Sequence, residues 1–398
     1  MPTKVKAMWK RWNGIKNVRI KCELLVINII YKALKISELA TILEKIAPPQ
    51  YQEAYDNAGL IVGNSTAEIT GILICLDSTE AVIDEAINLG CNLVVAHHPI
   101  VFKGLKKFNG RNYVERTVIK AIKNDIAIYA IHTNLDNMLY NGVNTQICHK
   151  LGIKNAKILA PKPQTLKQLT AFTPLDATQK VLDALYEAGA GEIGKYKNCS
   201  FKTVGTGSFT PTHSANPYIG TPNKAEEVRE NSVQVIFPAY LEKKIVTALH
   251  AAHPYEEVAY YVYALENEQS NVGAGMVGEL DEAMNTMDFL QLIKRQMTAS
   301  SVRYTDILRE KVKKIAVCGG AGSFLLPQAI ASKADIFISA DFKYHEFFDA
   351  DKQIIIADIG HYESEQFTID LLKDILEKEN RDFEIFSTKI ITNPINYL

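Results

Sequence analysis

A short apolar run, Leu93–Ala96, that ends in two histidines and a proline constrains the fold of this chain more than any other segment. Such a run is typical of a buried strand, and Pro99 prevents that strand from continuing. His97 and His98 therefore lie at a strand end, where open α/β sheets bind ligands. Neighbouring strand residues point to opposite faces, so one metal ion held by both would require a bend, whereas two neighbouring ions would not. Core or capping histidines are the alternative.

Two further apolar runs end in the same kinds of side chain. His132 closes the strand-like segment IAIYAIH, and Asp136 follows it by four residues. Ile354–Ala357 leads into a turn and a predicted helix that carries His361 and Glu365. A spacing of four places this pair on one helix face, where both side chains could reach one metal ion, although a surface pair has the same spacing.

The three strand ends together supply His, His, Asp, His and Glu, and no Cys. These imidazole and carboxylate ligands suit a site for Zn, Mn, Fe or Ni better than they suit a closed structural zinc site, which usually contains Cys. Five protein ligands are too many for one catalytic ion with an open position, but they suit two ions that share a carboxylate and bind water. We therefore expect two divalent cations per subunit, of unknown identity.

The order of predicted elements indicates an α/β fold with an insertion. Helices and strands alternate from Ile36 to about Leu159 and again after Val272, which predicts a largely parallel, buried sheet. Between these parts, a segment that opens with two prolines has the element order of a small α+β, ferredoxin-like domain. We expect a split three-layer α/β/α core, residues 36–163 and 269–398, around an inserted domain, residues 164–268.

The first 35 residues differ in charge from the remainder. They carry a net charge of +8, against −9 for the other residues. A basic N-terminal extension or an early start site is the preferred interpretation; an ordered helix or a nucleic-acid or membrane-binding arm is the alternative. The apolar stretch Leu24–Tyr31 is too short to span a bilayer. The six cysteines are scattered without a CxxC pattern, which favours a reducing compartment, so we expect a cytoplasmic protein.

Six segments of this chain, taken together and in this order, resemble the Nif-three-like family, whose bacterial members are often labelled GTP cyclohydrolase 1 type 2. The resemblance implies a toroidal homohexamer with a dinuclear metal centre whose ligands are His97, His98, Asp136, His361 and Glu365. It also implies that the inserted domain is related to PII and CutA-like domains. One departure is Tyr55, where the family usually has Trp. The segments are YDNAGLIVG, AHHPIVFKGLK, IHTNLDNMLYNGVN, CGGAGS, SADFKYHEFFDA and DIGHYESE.

Other polar residues near these strand ends are candidates for substrate binding or for supporting the ligands. Lys343 and His345 follow a predicted strand, where they could bind phosphate or transfer a proton, although a solvated helix start explains them equally well. His132 is a possible ligand or orients one. The glycine-rich segment 319–323 could form a tight turn or an anion site, and it matches no dinucleotide or P-loop pattern.

Metal-assisted hydrolysis is the function that this residue set favours. Two cations bridged by Asp136 and Glu365 would activate a shared water and polarise the substrate. GTP as the substrate follows from the family label alone. A phosphoesterase acting on another small molecule or nucleotide, and a non-enzymatic metal-binding or regulatory hexameric scaffold, are the alternatives. No membrane association and no nucleic-acid partner are expected.

Overall fold

A computed structural model describes residues 34–379 and 383–398, so all but the last two residues of the expected basic extension lie outside it. The strands are β1 (Gly59–Val62), β2 (Gly71–Cys75), β3 (Leu93–Ala96), β4 (Ala127–Ala130), β5 (Lys154–Pro161), β6 (Leu166–Pro174), β7 (Phe201–Phe209), β8 (Glu226–Pro238), β9 (Tyr260–Ala264), β10 (Gly273–Asn285), β11 (Arg303–Tyr304), β12 (Lys311–Ala321), β13 (Ile336–Ala340), β14 (Ile355–Asp358) and β15 (Glu384–Ser387). The α-helices are α1 (Ile36–Ile46), α2 (Glu80–Leu89), α3 (Tyr113–Lys123), α4 (Thr133–Asp136), α5 (Val143–Leu151), α6 (Thr178–Glu187), α7 (Glu242–Ala252), α8 (Thr286–Gln296), α9 (Leu326–Ala331), α10 (His361–Glu365) and α11 (Thr368–Glu379).

Two mixed sheets with parallel centres form the core, which confirms the α/β class. The first sheet has the strand order β1-β4-β3-β2-β15, and the second has the order β11-β14-β13-β12-β10-β5. Strands β2, β3 and β4 are completely buried, as their continuous apolar sequences predict. Parallel pairing of β2 with β3 and of β3 with β4 aligns their carboxyl ends at one edge. Parallel pairing of β12, β13 and β14 does the same in the second sheet.

The two halves of the core exchange strands. Strand β15, near the C-terminus, pairs in parallel with β2 in the first sheet. Strand β5, from the first half of the sequence, pairs antiparallel with β10 in the second sheet. Neither sheet is therefore complete without a strand from the other half, and the two sheets are held in one arrangement.

Helices cover the sheets where the sequence predicts amphipathic segments. Helix α2 is capped at its start by the Thr79 side chain, which accepts a hydrogen bond from the backbone N–H of Val82. It buries Val82, Ile83 and Ala86 in an apolar cluster with residues of β2 and β3. The predicted helix that carries His361 is two helices, because α10 ends at Glu365 and α11 begins at Thr368. Among the described residues, no helix combines the length and the apolar character needed to cross a membrane.

The middle segment forms its own four-stranded antiparallel sheet. The strand order is β7-β8-β6-β9, with α6 between β6 and β7 and α7 between β8 and β9. Helices α6 and α7 pack on one face of this sheet, where they form an apolar core with Leu169, Val233 and Val235. The middle segment therefore has a hydrophobic core separate from those of the two larger sheets.

The chain enters and leaves the middle segment at adjacent points. Pro161, the last residue of β5, is the register partner of Gly273, the first residue of β10. Directly opposed residues in an antiparallel pair lie about 5 Å apart. Because the ends of the intervening chain are so close, we propose that residues 164–268 are a domain inserted into a β5–β10 hairpin.

Deletion of residues 164–268, with a short Gly/Ser linker across the gap, should leave a soluble core that still binds metal. The reason is that β5 and β10 remain paired and the residues proposed as ligands lie outside the deleted segment. Size-exclusion chromatography and elemental analysis of the purified product provide the measurement. An insoluble or metal-free product would show that the two halves do not fold as one core.

Candidate metal centre

The five side chains expected from the sequence to bind metal converge at the carboxyl ends of strands from both sheets. His97 and His98 follow β3 in a bend, and their ring centroids are 4.9 Å apart. Asp136 ends α4, just beyond β4, whereas His361 and Glu365 begin and end α10, beyond β14. The bend at the two histidines allows neighbouring residues, which would diverge on a regular strand, to face the same region.

One group consists of His97, Asp136 and Glu365. Nε2 of His97 lies 3.6 Å from Oδ1 of Asp136 and 3.9 Å from Oε1 of Glu365. Nδ1 of His97 donates to the carbonyl oxygen of Ile131 at 2.8 Å, because a carbonyl can only accept. In the neutral ring, Nε2 therefore presents a lone pair to the two carboxylates. Both Nε2 of His97 and Oδ1 of Asp136 are buried and have no hydrogen-bond partner among the described residues.

A second group consists of His98, His361 and the other oxygen of Glu365. Oε2 of Glu365 lies 2.9 Å from Nε2 of His98 and 3.1 Å from Nε2 of His361. The two Nε2 atoms are 3.4 Å apart. In each group, one ligand atom from each of the three residues lies within 4.8 Å of the other two, a separation that suits coordination of one cation. Glu365 is the residue that the two groups share.

In the second group, the histidine nitrogens that face away from Glu365 form hydrogen bonds with carboxylates. Nδ1 of His98 donates to Asp77 at 2.7 Å, and Nδ1 of His361 donates to Asp341 at 2.7 Å. Such a partner fixes the ring orientation and leaves Nε2 free for a metal. Sequence reasoning assigned this role to neither Asp341 nor Asp77. The signal was present, because Asp77 ends an apolar run just as His97 does.

His132 lies beside the first group with a carboxylate partner of its own. Nδ1 of His132 donates to Oδ1 of Asp56 at 2.7 Å, while Oδ2 of Asp56 accepts from the backbone N–H of Thr133 at 3.0 Å. Although burial acts to raise it, these hydrogen bonds lower the pKa of Asp56 to about 2. His132, His97 and His98 also form a group close enough to hold a cation. The position suits either role expected for His132, ligand or orienting residue.

The electrostatics of the centre favour positive charge. Burial alone would lower the pKa of His98, but hydrogen bonds with Asp77 and Glu365 raise it to about 9. Burial also opposes the change at His361, where Glu365 and Asp341 raise the pKa to about 11. Burial raises the pKa of Asp136, and the nearby Glu365 carboxylate acts in the same direction. The carboxylates thus stabilise cationic neighbours, as expected of a site that binds metal cations.

The glycine-rich segment forms the tight strand–helix turn considered from sequence, since β12 ends at Ala321 and a 3₁₀ helix begins at Ser323, and it also contacts Glu365. The anion site stays a prediction. Gly319 and Gly320 immediately precede Ala321, the last residue of β12. Gly320 has a φ of +64°, and a Cβ added there would lie 2.4 Å from Oε1 of Glu365. Its backbone N–H donates to Oγ of Ser364 at 2.9 Å. Only a residue without a side chain allows this close approach of the strand to the carboxylate.

Lys343 and His345 do not reach the centre within the described chain. Both side chains are exposed, Lys343 by 85%, and Nζ of Lys343 lies 3.8 Å from Oε1 of Glu346. Lys343 immediately precedes a short 3₁₀ helix, Tyr344–Ala350. The solvated helix start that the sequence allowed therefore describes their surroundings, and a role with substrate stays a prediction.

A cavity of about 650 Å³ opens onto the two groups. A volume of this size accommodates a small molecule or a nucleotide. Apolar walls come from Phe102 and Phe324, and Tyr55 stands at the rim. Among the described lining residues none is Lys or Arg.

Comparison with known proteins confirms the resemblance stated from the sequence. The family model described as Duf34/NIF3 (NGG1p interacting factor 3) matches residues 34–394. A Halalkalibacterium halodurans protein named "GTP cyclohydrolase 1 type 2 homolog" is 35% identical, over 92% of this chain and 100% of that protein. A Bacillus subtilis protein of the same name is 34% identical over the same shares. The crystal structure of a Bacillus cereus protein related to NIF3 has a TM-score of 0.80 and 35% identity, covering 92% of this chain and 100% of that one.

Replacement of Gly320 by Ala should disturb the centre. The new Cβ would meet the Glu365 carboxylate, and the left-handed backbone adds a cost on the order of 1–3 kcal/mol. We expect a lower melting temperature and weaker metal binding, measured by calorimetry and elemental analysis. Gly205→Ala is the matched control, since a Cβ there has nothing within 4 Å. Equal behaviour of the two variants would contradict the proposed contact.

Proposed function

This chain belongs to the Duf34/NIF3 family, and we propose on that premise that it is a dinuclear metal-dependent hydrolase similar to GTP cyclohydrolase 1 type 2. The observation that carries the proposal is the pair of buried acceptors at His97 and Asp136, which lie 3.6 Å apart and have no hydrogen-bond partner in the described part of the chain. An unsatisfied buried polar atom costs on the order of 1–3 kcal/mol. Two acceptors that face each other gain a common partner if a cation lies between them.

The two groups would each hold one divalent cation. His97, Asp136 and Oε1 of Glu365 would bind one, while His98, His361 and Oε2 of Glu365 would bind the other. Glu365 is thus the proposed bridge. Asp136 falls in only one of these groups, so the geometry supports its role as a bridge less directly. The ligand types suit Zn, Mn, Fe or Ni.

Bound cations of this kind activate water and polarise the substrate. Asp77 and Asp341 would orient two of the ligands, His98 and His361. His132, whose Nδ1 donates to Asp56, would hold or move a proton. In the cyclohydrolase reaction, water adds to C8 of the purine, the C8–N9 bond breaks, and a second water releases C8 as formate. Because the cavity has no described Lys or Arg, the bound cations would supply the positive charge facing a nucleotide.

Two equivalents of divalent metal per chain are expected after reloading. His97→Ala and Glu365→Gln should each lower the metal content, and Glu365→Gln should affect both positions because its oxygens face both groups. His213→Ala is the control, because His213 is exposed in a loop of the middle segment. Elemental analysis and melting temperature provide the measurements, since a cation that binds only the folded state stabilises it. Less than one equivalent in the reloaded protein would refute the dinuclear centre.

Turnover by the metal-loaded protein tests the enzymatic proposal. The protein is incubated with GTP and with a panel of phosphoesters, and formate and inorganic phosphate are measured. Formate release that is lost in Glu365→Gln and kept in His213→Ala supports the cyclohydrolase reaction. Phosphate release without formate would indicate a phosphoesterase instead. Full metal loading without turnover would favour the alternative, a non-enzymatic metal-binding or regulatory scaffold.

We further propose a cytoplasmic toroidal homohexamer with a ferredoxin-like, PII/CutA-like insert. The observed strand order of the middle segment and its two helices support that description of the insert. Closed rings satisfy every subunit interface without open-ended growth.

Light scattering should give a mass close to six times 44.4 kDa. Removal of residues 1–35 should leave the number of subunits unchanged, because the resemblance that implies the ring begins after them. A monomer at micromolar concentration would refute the hexamer. The metal proposal would survive that result, since all five ligands belong to one chain.

A further inference from the structure

A second cavity lies in the middle segment, on the face of its sheet opposite α6 and α7. Glu230 and Ser232 of β8 alternate with Val233 and Val235, which pack under the helices. The register places Gly205 opposite Glu230, so this face of the edge strand β7 has no side chain there. The segment from Thr210 to Ile219 and the residues after His253 form its walls. The cavity has a volume of about 660 Å³.

A buried carboxylate lies in this cavity. Glu230 is only 7% exposed, and Oε1 accepts a hydrogen bond from the hydroxyl of Tyr255 at 2.9 Å. Among the described residues, no hydrogen bond reaches Oε2 and no cationic side chain pairs with Glu230. Oε2 lies over Gly207, where an added Cβ would be 2.2 Å away. A buried carboxylate is ordinarily paired with a cation, and among the described residues Glu230 lacks such a cationic partner.

Aromatic rings line the same cavity as the carboxylate. The Tyr255 ring lies 6.1 Å from Tyr218 and 6.2 Å from Phe209, and Phe172 lies 5.9 Å from Tyr261 (centroid distances). Aromatic faces attract cations, and clusters of them recognise ammonium groups.

The other charged side chains that line the cavity are also acidic. Glu256 and Glu257 also line the cavity, and among its described lining residues none is Lys, Arg or His. Oε1 of Glu256 accepts from the backbone N–H of Asn216 at 2.9 Å, which ties one wall segment to the other. An anionic ligand such as a nucleotide would face three carboxylates without a compensating side chain.

We propose that this cavity is a binding site for a small organic cation, an ammonium or guanidinium group on an apolar body. The cationic group contacts Oε2 of Glu230, and the apolar body packs against the aromatic walls. The site is separate from the metal centre, so the inference does not depend on the proposed hydrolase activity.

Calorimetric titration of the full chain tests the proposal with three cationic probes: choline, phenethylamine and agmatine. At least one should bind, and 3,3-dimethylbutan-1-ol, the neutral isostere of choline, should not bind comparably. Glu230→Gln should weaken that binding at least tenfold. Tyr255→Phe should change it by a smaller factor, because the carboxylate remains. Glu187→Gln, an exposed position on α6, should leave affinity unchanged.

Three results would overturn the proposal: no binding of any cationic probe, equal binding of the neutral isostere, or unchanged affinity in Glu230→Gln. Melting temperatures of the variants identify a folding defect. If Glu230→Gln does not fold, the comparison of choline with its isostere in the unaltered protein still decides. ATP is titrated in parallel, and tighter binding of ATP that is lost in Tyr255→Phe would also overturn the proposal. The same titration with Glu365→Gln should be unchanged if binding occurs away from the metal centre.

Discussion

The centre depends on one buried carboxylate, Glu365, whose two oxygens face different sets of histidines. Its side chain is 2% exposed, and burial of a charge is unfavourable unless cationic or hydrogen-bonded partners surround it. Here the partners come from both halves of the sequence: His97 and His98 follow a strand of the first sheet, whereas His361 lies on the same helix as Glu365. Glu365 therefore has its full set of histidine partners only when both sheets have formed.

Strand exchange between the sheets explains how that relative position is maintained. The β2–β15 and β5–β10 pairs each join residues from the two halves by backbone hydrogen bonds. Thr392, a few residues beyond β15, donates to the second oxygen of Asp77 at 2.6 Å, and the first oxygen accepts from His98. The end of the chain is thereby linked to a histidine of the centre. Orientation of a ligand by such outer contacts is a general property of metal sites.

The sequence predicted the α/β class, most strands and the five converging side chains, because each depends on a local pattern: an apolar run, a breaker and a polar residue at its end. It did not predict the assignment of strands to two sheets, since the pairing of β5 with β10 depends on contacts more than 110 residues apart along the chain. The role of Gly320 was also beyond local reasoning, because its constraint comes from Glu365, 45 residues later. Asp77 closely follows the buried strand β2, so a local pattern marks it as it marks His97, whereas Asp56 precedes β1 and reaches the centre through the antiparallel pairing of β1 with β4.

The position of the middle segment explains how a second cavity exists without disturbing the first. The segment begins after Pro161 and ends before Gly273, which are directly paired residues of β5 and β10. It therefore takes the place of the loop that would connect these two strands. The entropic cost of closing a loop grows only slowly with its length, so a long connection at this point costs little more than a short one. The middle segment also contacts the core: the ring of Tyr240 lies 5.4 Å from the ring of Tyr51, centroid to centroid. The two cavities also differ in chemistry: one combines imidazoles with carboxylates, and the other combines aromatic rings with a carboxylate that has no cationic partner in the ranges 34–379 and 383–398. Among the described residues, the linings of the two cavities share no member, so a substitution in one lining leaves the side chains of the other unchanged.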